Sequence, residues 1–497
     1  MPEEVASPQR IAQLLSQAVE AHAGQDLERA RLLYEQVLQM HPRQPHVPFL
    51  LGTLLHAQGA HAAAIGQLEQ AVRLRPQELR AWVLLGGSMA HLERWPEVLA
   101  CFEGALSLEP MNADALAGRA TALHALDRSD EAARCFDQAL EIAPGHEVAL
   151  LNRCRLRRDR GELQAALADC DAVLAQSPAH ARAAFSKAGL LLLQGEWARG
   201  WPLYEQRFAA LGISPDRFGR PLWRGGDSFA SWVTILLHND QALGDGIMNM
   251  RFATEVAAKG ARVILAVAPT LVELARGVEG VTEVVAHGKP LPHFDVHCPF
   301  FSLPAALQLT VETVPGRSGY LRADAARAAA WAAELGPADR PRVGLAWSGN
   351  PEHSRDRRRS ITLERFLTAL PEGCEYISLQ KELRTTDEGA LAATPRVRYF
   401  GDRLRDFSDT AALCAQMDLV VAVDTSVAHL AGALGKPVWI LLPYSPDCRW
   451  LMHGERCPWY ASARLLRQGP EREWPPVLAQ VHSGLQQLAH AWAGTPA

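Results

Sequence analysis

An all-α helical-repeat solenoid followed by an α/β region of two parallel-sheet halves is the fold that this 497-residue sequence predicts. Two observations carry the prediction. Prolines recur at Pro42, Pro76, Pro110, Pro144 and Pro178, each 34 positions after the last, and beyond residue 211 the repeat gives way to short apolar runs alternating with helical stretches. A fixed period of that size marks units that must stack to bury their apolar faces. Apolar strands separated by helices argue for parallel sheets covered on both faces. Composition agrees. Hydrophobic residues make up 48% and charged residues 21%, which excludes a disordered or fibrous chain, and a net charge of −5 offers no global basic field to nucleic acid.

Within the repeat, a large side chain stands eight positions before each proline (Tyr34, Leu68, Phe102 and Phe136, with Cys170 the exception). A smaller one stands five before it: Val37, Ala71, Ala105, Ala139 and Val173. Gly59 and Gly161 fall in the turn between paired helices, Trp82, Leu85 and Gly86 open the third copy, and a sixth copy without its proline runs over 181–204. Small residues let helices approach, the large one fills the groove, and proline stops the second helix. This pattern resembles tetratricopeptide repeats over about residues 11–210, which implies a surface that holds a partner protein and does no chemistry itself. Arg153, Arg155, Arg157, Arg158 and Arg160 read as a solvated or partner-binding helix face, and Trp82, Trp95, Trp197 and Trp201 as packing.

The chain divides accordingly into a flexible start at 1–10, a solenoid of about six helix pairs at 11–211 and a linker at 212–230. The first α/β half takes 231–338, the second 339–472, and a closing helix with its tail 473–497. Strands are expected at 232–238, 262–267, 283–286 and 294–298, with helices at 245–259, 270–277 and 323–335. The second half continues with strands at 343–347, 375–379, 397–400, 419–423 and 438–442 and helices at 362–369, 408–416 and 426–434. Such halves are Rossmann-like, with a cleft between them. No apolar run approaches the ~20 residues that cross a bilayer. The start has no basic region leading into an apolar one, and none of the nine cysteines forms a C-x-x-C pair. A cytoplasmic protein without a metal or other cofactor is expected.

Ligands of open α/β sheets gather beyond the carboxyl ends of the strands. Three such places hold the candidate chemistry. After 419–423 come Asp424, Thr425 and Ser426, then His429 and Gly435-Lys436-Pro437, so hydroxyls open a helix whose amides and dipole favour a phosphate. Asp424 and Thr425 are equally good helix caps, and His429 reads as well as a core histidine. After 232–238, Leu243-Gly244-Asp245-Gly246 opens a helix with Arg251 two turns on. Asp245 there either caps the helix or takes a proton from an attacking hydroxyl, and His238 and Asp240 compete for that role. After 343–347, Ser348 and Asn350 lead into His353–Ser360, whose Arg355, Arg358 and Arg359 suit a diphosphate or a sugar carboxylate. Gln380-Lys381, ending the next strand, adds a cation. Gln241, Gly244, Tyr444 and Trp459 are further cleft candidates, and Trp450, Trp459 and Tyr460 stand where they either pack or hold a base or sugar.

The Asp424-Thr425 turn with His429-Leu430 and Gly435-Lys436-Pro437 resembles the donor site of heptosyltransferase-type glycosyltransferases, and the Gly244-Asp245 turn resembles their acceptor-side loop. The stretches 343–350, 355–361 and 450–468 are similar to a bacterial subgroup in which tetratricopeptide repeats are fused to this domain, some of whose members glycosylate flagellin. The resemblance spans about residues 11–470. It implies a GT-B fold, a nucleotide-sugar held mainly by the C-terminal half, and no obligatory metal. It also implies Asp245 as general base, Thr425 and Ser426 at the donor phosphates, Asp424 at the sugar, and more weakly Lys381. Ala242 departs from the subgroup's glycine in the acceptor loop and narrows that loop's conformational options.

The residues agree with this without the family. With no metal motif visible, a departing phosphate needs cations and helix amides. With no Ser-His-Asp set at credible spacing, direct displacement inverts the anomeric carbon. The expected activity is transfer of a sugar from a nucleotide-sugar to a Ser or Thr of a flagellin-like protein recruited by the repeats. Transfer to a lipid-linked or polysaccharide acceptor is one alternative, and a non-catalytic adaptor with a degenerate sugar-nucleotide fold is the other. Nucleic acid is the least favoured partner.

Overall fold

The computed structural model describes residues 8–226, 228–230, 232–315, 319–353 and 355–493. Residues 1–7 of the expected flexible start, Ser354 of the charged loop and residues 494–497 of the tail lie outside the described residues. The chain forms two compact units, Met1–Arg158 with Gln164–Pro178, and Asp159–Leu163 with Ala179–Ala497.

Paired antiparallel helices build the first unit, beginning Pro8–Ala23 and Leu27–Met40, then Val47–Ala57 and His61–Leu74, Leu79–His91 and Trp95–Leu108. Ala113–Ala125 with Ser129–Ile142 and Glu147–Asp159 with Leu163–Gln176 follow. The turn inside each pair places one residue in the left-handed region, at Gln25, Gly59, Glu93, Asp127, Gly161 and, in the next copy, Gly195. The following N–H reaches back five residues, as in Ala60 to Leu55 (2.9 Å) and Arg94 to Met89 (3.1 Å), which satisfies a carbonyl at the helix end. The periodic large residues are buried, Tyr34, Leu68, Phe136 and Cys170 completely. The reason for the small partner is steric, since a Cβ on Gly52 would come within 2.7 Å of Leu68 and one on Gly86 within 2.8 Å of Phe102. In the fifth copy the same slot holds Cys154 against Cys170, sulfur to sulfur at 3.3 Å. Within the arginine run, Arg153 and Arg157 both bind the buried carboxylate of Asp169, so these two build the repeat rather than extend into solvent.

The second unit starts with helices Ala181–Leu193, Trp197–Tyr204 and Arg207–Ala210 and continues into two parallel sheets. The first contains β1 (Thr234–His238), β2 (Arg262–Val267), β3 (Val281–Ala286) and β4 (Val296–Pro299) in the order β3-β2-β1-β4. The second contains β5 (Arg342–Ala346), β6 (Glu375–Ser378), β7 (Val397–Arg398), β8 (Leu419–Val423), β9 (Val438–Leu442) and β10 (Ala463–Arg467) in the order β10-β9-β8-β5-β6-β7. Strand order reverses between β1 and β4 and again between β5 and β8, and these are the switch points at which α/β sheets bind ligands. β5 and β8 are buried at every position; β8 is wholly apolar, and Arg342, the one charged residue of β5, is buried in an ion pair with Glu375 at 2.8 Å.

Several elements differ from expectation. The helix expected at 245–259 is two, Leu243–Asn249 and Phe252–Ala258, interrupted at Met250 and Arg251. β10 and the helix Thr385–Ala392 were not anticipated, because β10 is an edge strand with an arginine at each end of its apolar centre and the helix is short, with its polar residues all in the first half. The segment expected as a linker runs along the sheet edge, where the Trp223 N–H donates to the His297 carbonyl at 2.8 Å.

Candidate active site

The loops after β1, β5, β8 and β9 converge in the second unit. Leu243–Asn249, the helix after β1, packs on Ser426–Ala433, the helix after β8, so closely that a Cβ on Gly244 would lie 2.8 Å from His429. That contact brings Asp245 of the first half against the second. Asp245 is 4% exposed. Its Oδ2 accepts the Ala242 N–H at 3.1 Å, closing the start of its helix, and its Oδ1 accepts from Arg449. Burial pushes its carboxyl above the ordinary carboxylate range, with the Arg449 cation opposing and Asp447 and Asp424 reinforcing the rise.

Arg449 stands among three carboxylates. Its Nε bonds Asp447 at 2.8 Å, and Asp424 lies close enough that burial, opposed by Arg449, raises its carboxyl too. Burial works against the Asp447 carboxylate, yet Arg449 and Arg355 hold it below the ordinary range. The same guanidinium donates to His429 Nε2 at 3.3 Å. Because arginine only donates, Nε2 is the acceptor nitrogen and Nδ1 carries the proton toward the Tyr460 hydroxyl at 2.9 Å. Burial, with Arg449 and Arg251 nearby, lowers the His429 pKa far enough to keep it neutral.

Beside this cluster lies an under-satisfied cradle. The Thr425 hydroxyl is buried at the start of its helix without a hydrogen-bond partner among the described residues. Arg359 donates to the Asp424 carbonyl at 2.8 Å, while its Nε makes no hydrogen bond among the described residues and lies 3.7 Å from the Asp356 carboxylate. Buried donors are rarely left so, and a ligand oxygen would complete them. Ser426 is half-buried at the same turn. The loop after β5 is fixed by its own bonds. Gln380 Oε1 accepts from the Trp347 and Ser348 N–H groups at 2.7 and 2.9 Å and its Nε2 donates to Ser348 Oγ, whereas exposed Asn350 caps the N–H of Glu352.

Several predicted site residues are turned elsewhere. Arg358 binds Asp159 at 2.5 Å, and Lys381 is exposed with Nζ 3.4 Å from the Arg405 carbonyl. Arg251 is 3% exposed, donates to the carbonyls of Met248, Pro315 and Trp459 and lies over the Tyr320 and Tyr460 rings, so it braces the fold. Trp459 is fully buried against Trp197, Trp201 and Phe252, and Trp450 stacks on His429, which resolves the aromatics as packing. Tyr444 reaches the Arg160 carbonyl at 3.5 Å. His238 pairs with buried His297 at 3.2 Å, and burial and that neighbour lower its pKa to about 3, so it stays neutral. Asp240 pairs with Arg207 and Gln241 with Tyr204, which hold the loop that presents Asp245.

Asp447 and Arg449 escaped the sequence reading, although the rule that located Asp424 applies equally to the loop after β9. Among the described residues no group of three or more histidine, cysteine or carboxylate side chains is arranged to hold a metal ion, and here Arg449 already occupies the place among the carboxylates. No described helix is long and apolar enough to cross a membrane.

Comparison with known proteins falls along the same division. The tetratricopeptide repeat family matches residues 15–78, 92–147 and 151–213. Glycosyltransferase family 9 (heptosyltransferase) matches 405–472, the stretch with Asp424, Thr425, His429, Asp447 and Arg449. Protein FlbA of Caulobacter vibrioides is 28% identical over 341 residues, 62% of this chain and 56% of that protein, so the chain spans little more than half of that relative's length. A tetratricopeptide repeat protein from Parabacteroides merdae matches 42% of this chain and 81% of its own at 20% identity and a TM-score of 0.37. PilW, a type IV pilus biogenesis factor, matches 42% of this chain and 97% of its own at 17% and 0.37. The chain thus fuses tetratricopeptide repeats to a heptosyltransferase-like region in one polypeptide.

Proposed function

We propose that the protein transfers a sugar from a nucleotide-sugar to a Ser or Thr hydroxyl of a protein acceptor recruited by the repeats, with inversion and without a metal. The observation that carries this reading is the opposition of Asp245, from the first half, to the Thr425 hydroxyl, which has no partner among the described residues, at the head of the helix after β8, with the Arg359 guanidinium held on the Asp424 carbonyl beside it. The cradle has the chemistry of a phosphate site, with a helix N-terminus, a hydroxyl and a guanidinium. Asp245 accepts the acceptor's proton as its oxygen attacks the anomeric carbon. The carbon–oxygen bond to phosphate breaks on the opposite face, and the nucleoside diphosphate leaves with the electron pair toward Arg359 and the helix amides. A base pushed above the usual carboxylate range by burial is better matched to that proton transfer. The flagellin-like acceptor follows from the resemblance, and a cytoplasmic location suits a nucleotide-sugar donor.

The test is thermal stabilisation by a panel of nucleotides and nucleotide-sugars. One nucleotide class should raise the midpoint of the wild type and do so far less in Thr425→Ala and Arg359→Ala, because a ligand of the folded state stabilises it. If no nucleotide at millimolar concentration moves the wild-type midpoint, the transferase reading is wrong and a non-catalytic adaptor takes its place.

A further inference from the structure

The loop after β9 ends in an arginine whose surroundings go beyond a donor site. The Arg449 side chain is 16% exposed and fixed at several points. Its Nε and backbone N–H both bond Asp447, at 2.8 and 3.2 Å, its carbonyl accepts the buried Trp459 indole N–H at 2.8 Å, and its NH1 faces His429. From that anchored position the same NH1 crosses the cleft to Asp245 Oδ1.

We propose that Arg449 is a positioning residue for the transfer: from the donor half it holds the Asp245 carboxylate across the cleft as a charged, oriented proton acceptor. This rests on the transferase reading above. Asp245 is faced by Arg449 and Asp447 from the loop after β9, and by Asp424 and neutral His429 from the turn and helix after β8. Arg355 and Arg359, from the loop after β5, add their charge at Asp447 and Asp424 respectively. Arg449 is therefore the cation in direct contact with the base, between it and two further carboxylates that would drive it to hold its proton. A neutral His429 cannot replace that charge. A planar guanidinium reaches Asp245 and Asp447 from separate nitrogens, which one ammonium cannot do equally well. The arrangement also ties the base to closure, because Asp245 and its cation belong to different halves.

The experiment measures turnover of the nucleotide-sugar selected by the stabilisation panel, as release of its nucleoside diphosphate with the sugar passing to an added flagellin or to water, against pH. It compares the wild type with Arg449→Met, Arg449→Lys and Asp245→Asn. For Arg449→Met, kcat at pH 7 should fall by about tenfold or more while the donor KM changes little, and the acid limb of kcat/KM should move up by about one pH unit, equivalent to that tenfold. Arg449→Lys should bring the limb back toward the wild type and guards against a simple folding defect, as do the melting curves of both variants. A raised donor KM with an unmoved acid limb would make Arg449 a phosphate ligand and overturn the proposal alone. A wild type that releases no nucleotide at any pH would remove the transferase reading and this inference together.

Discussion

Asp245 carries opposing demands that can be measured separately. Its burial raises the carboxyl's pKa in the folded state above the unfolded value near 3.9, so the folded protein holds the proton more tightly. Stability from this group is then present at low pH and lost as pH rises through the folded value, because above it the buried charge must be maintained. Asp245→Asn should therefore raise the melting temperature relative to the wild type, by an increment that grows from pH 4 to pH 8. It should also lower turnover by about a hundredfold or more, the usual contribution of a general base. A melting difference independent of pH would show that the carboxyl titrates as an ordinary exposed one. The sequence made Asp245 visible because it follows a strand and a glycine. It did not reveal Arg449, because a lone arginine in Asp447-Cys448-Arg449-Trp450 has no spacing signal, and its partner lies 204 residues away. Arg358 and Arg359 show the complementary failure. Adjacent in sequence, they diverge to Asp159 and to the Asp424 carbonyl, and no pattern in the loop distinguishes them.

At the scale of the element, the solenoid was the most legible part, since its helix pairs are specified by a repeated steric match rather than by any single residue. The left-handed turn position expresses the same rule incompletely. Gly59, Gly161 and Gly195 fill three copies, whereas Gln25, Glu93 and Asp127 accept the same backbone at a cost of roughly 1–2 kcal/mol for an L side chain. Glu93 is exposed, at φ 56°, so Glu93→Gly should relieve that strain without losing packing. Offset by the greater freedom of glycine in the unfolded chain, the net gain should be about 0.5–1 kcal/mol. Thermal melting of the full chain checks it, with Glu93→Ala as the control that keeps the strain. Equal melting temperatures for the two variants would mean the turn is relaxed as it stands. The α/β elements were legible where strands are central and apolar, as in β8 and in β5 beyond Arg342. Legibility failed at β10, where an edge position lets polar residues into the strand.

For the whole molecule, the period counts six helix pairs, but the fold treats them unequally, because Ala181–Leu193 and Trp197–Tyr204 lie in the same compact unit as the two sheets. The physical reason is a shared core. Trp197 stacks on Trp459 with ring centres 4.9 Å apart, and Tyr204 stacks on Phe301 at 5.7 Å. Buried Arg207 binds Asp240 and Ser302. Periodicity could not foresee this, since it reports how a repeat resembles its neighbours and not which surface it ends against. Two truncations separate the roles. A chain beginning at Ala179 retains the core around Trp459 and the whole Asp245–Arg449 cluster, although it loses the Asp159 contacts of Arg358 and Arg472 and the Arg160 contact of Tyr444. It should keep nucleotide stabilisation within a few degrees of the full protein while losing modification of the protein acceptor. A chain beginning at Gly212 uncovers Trp459 and Phe301 and strands the Asp240 carboxylate without Arg207. It should aggregate or melt far lower, because exposing buried aromatic surface costs about 25 cal/mol per Å² before the unpaired charge is counted. Thermal shift with the nucleotide chosen for the full chain reads both. If the chain from Gly212 melts and binds like the chain from Ala179, the sixth pair is only the end of the solenoid and the Trp197–Trp459 contact contributes nothing to the transferase core.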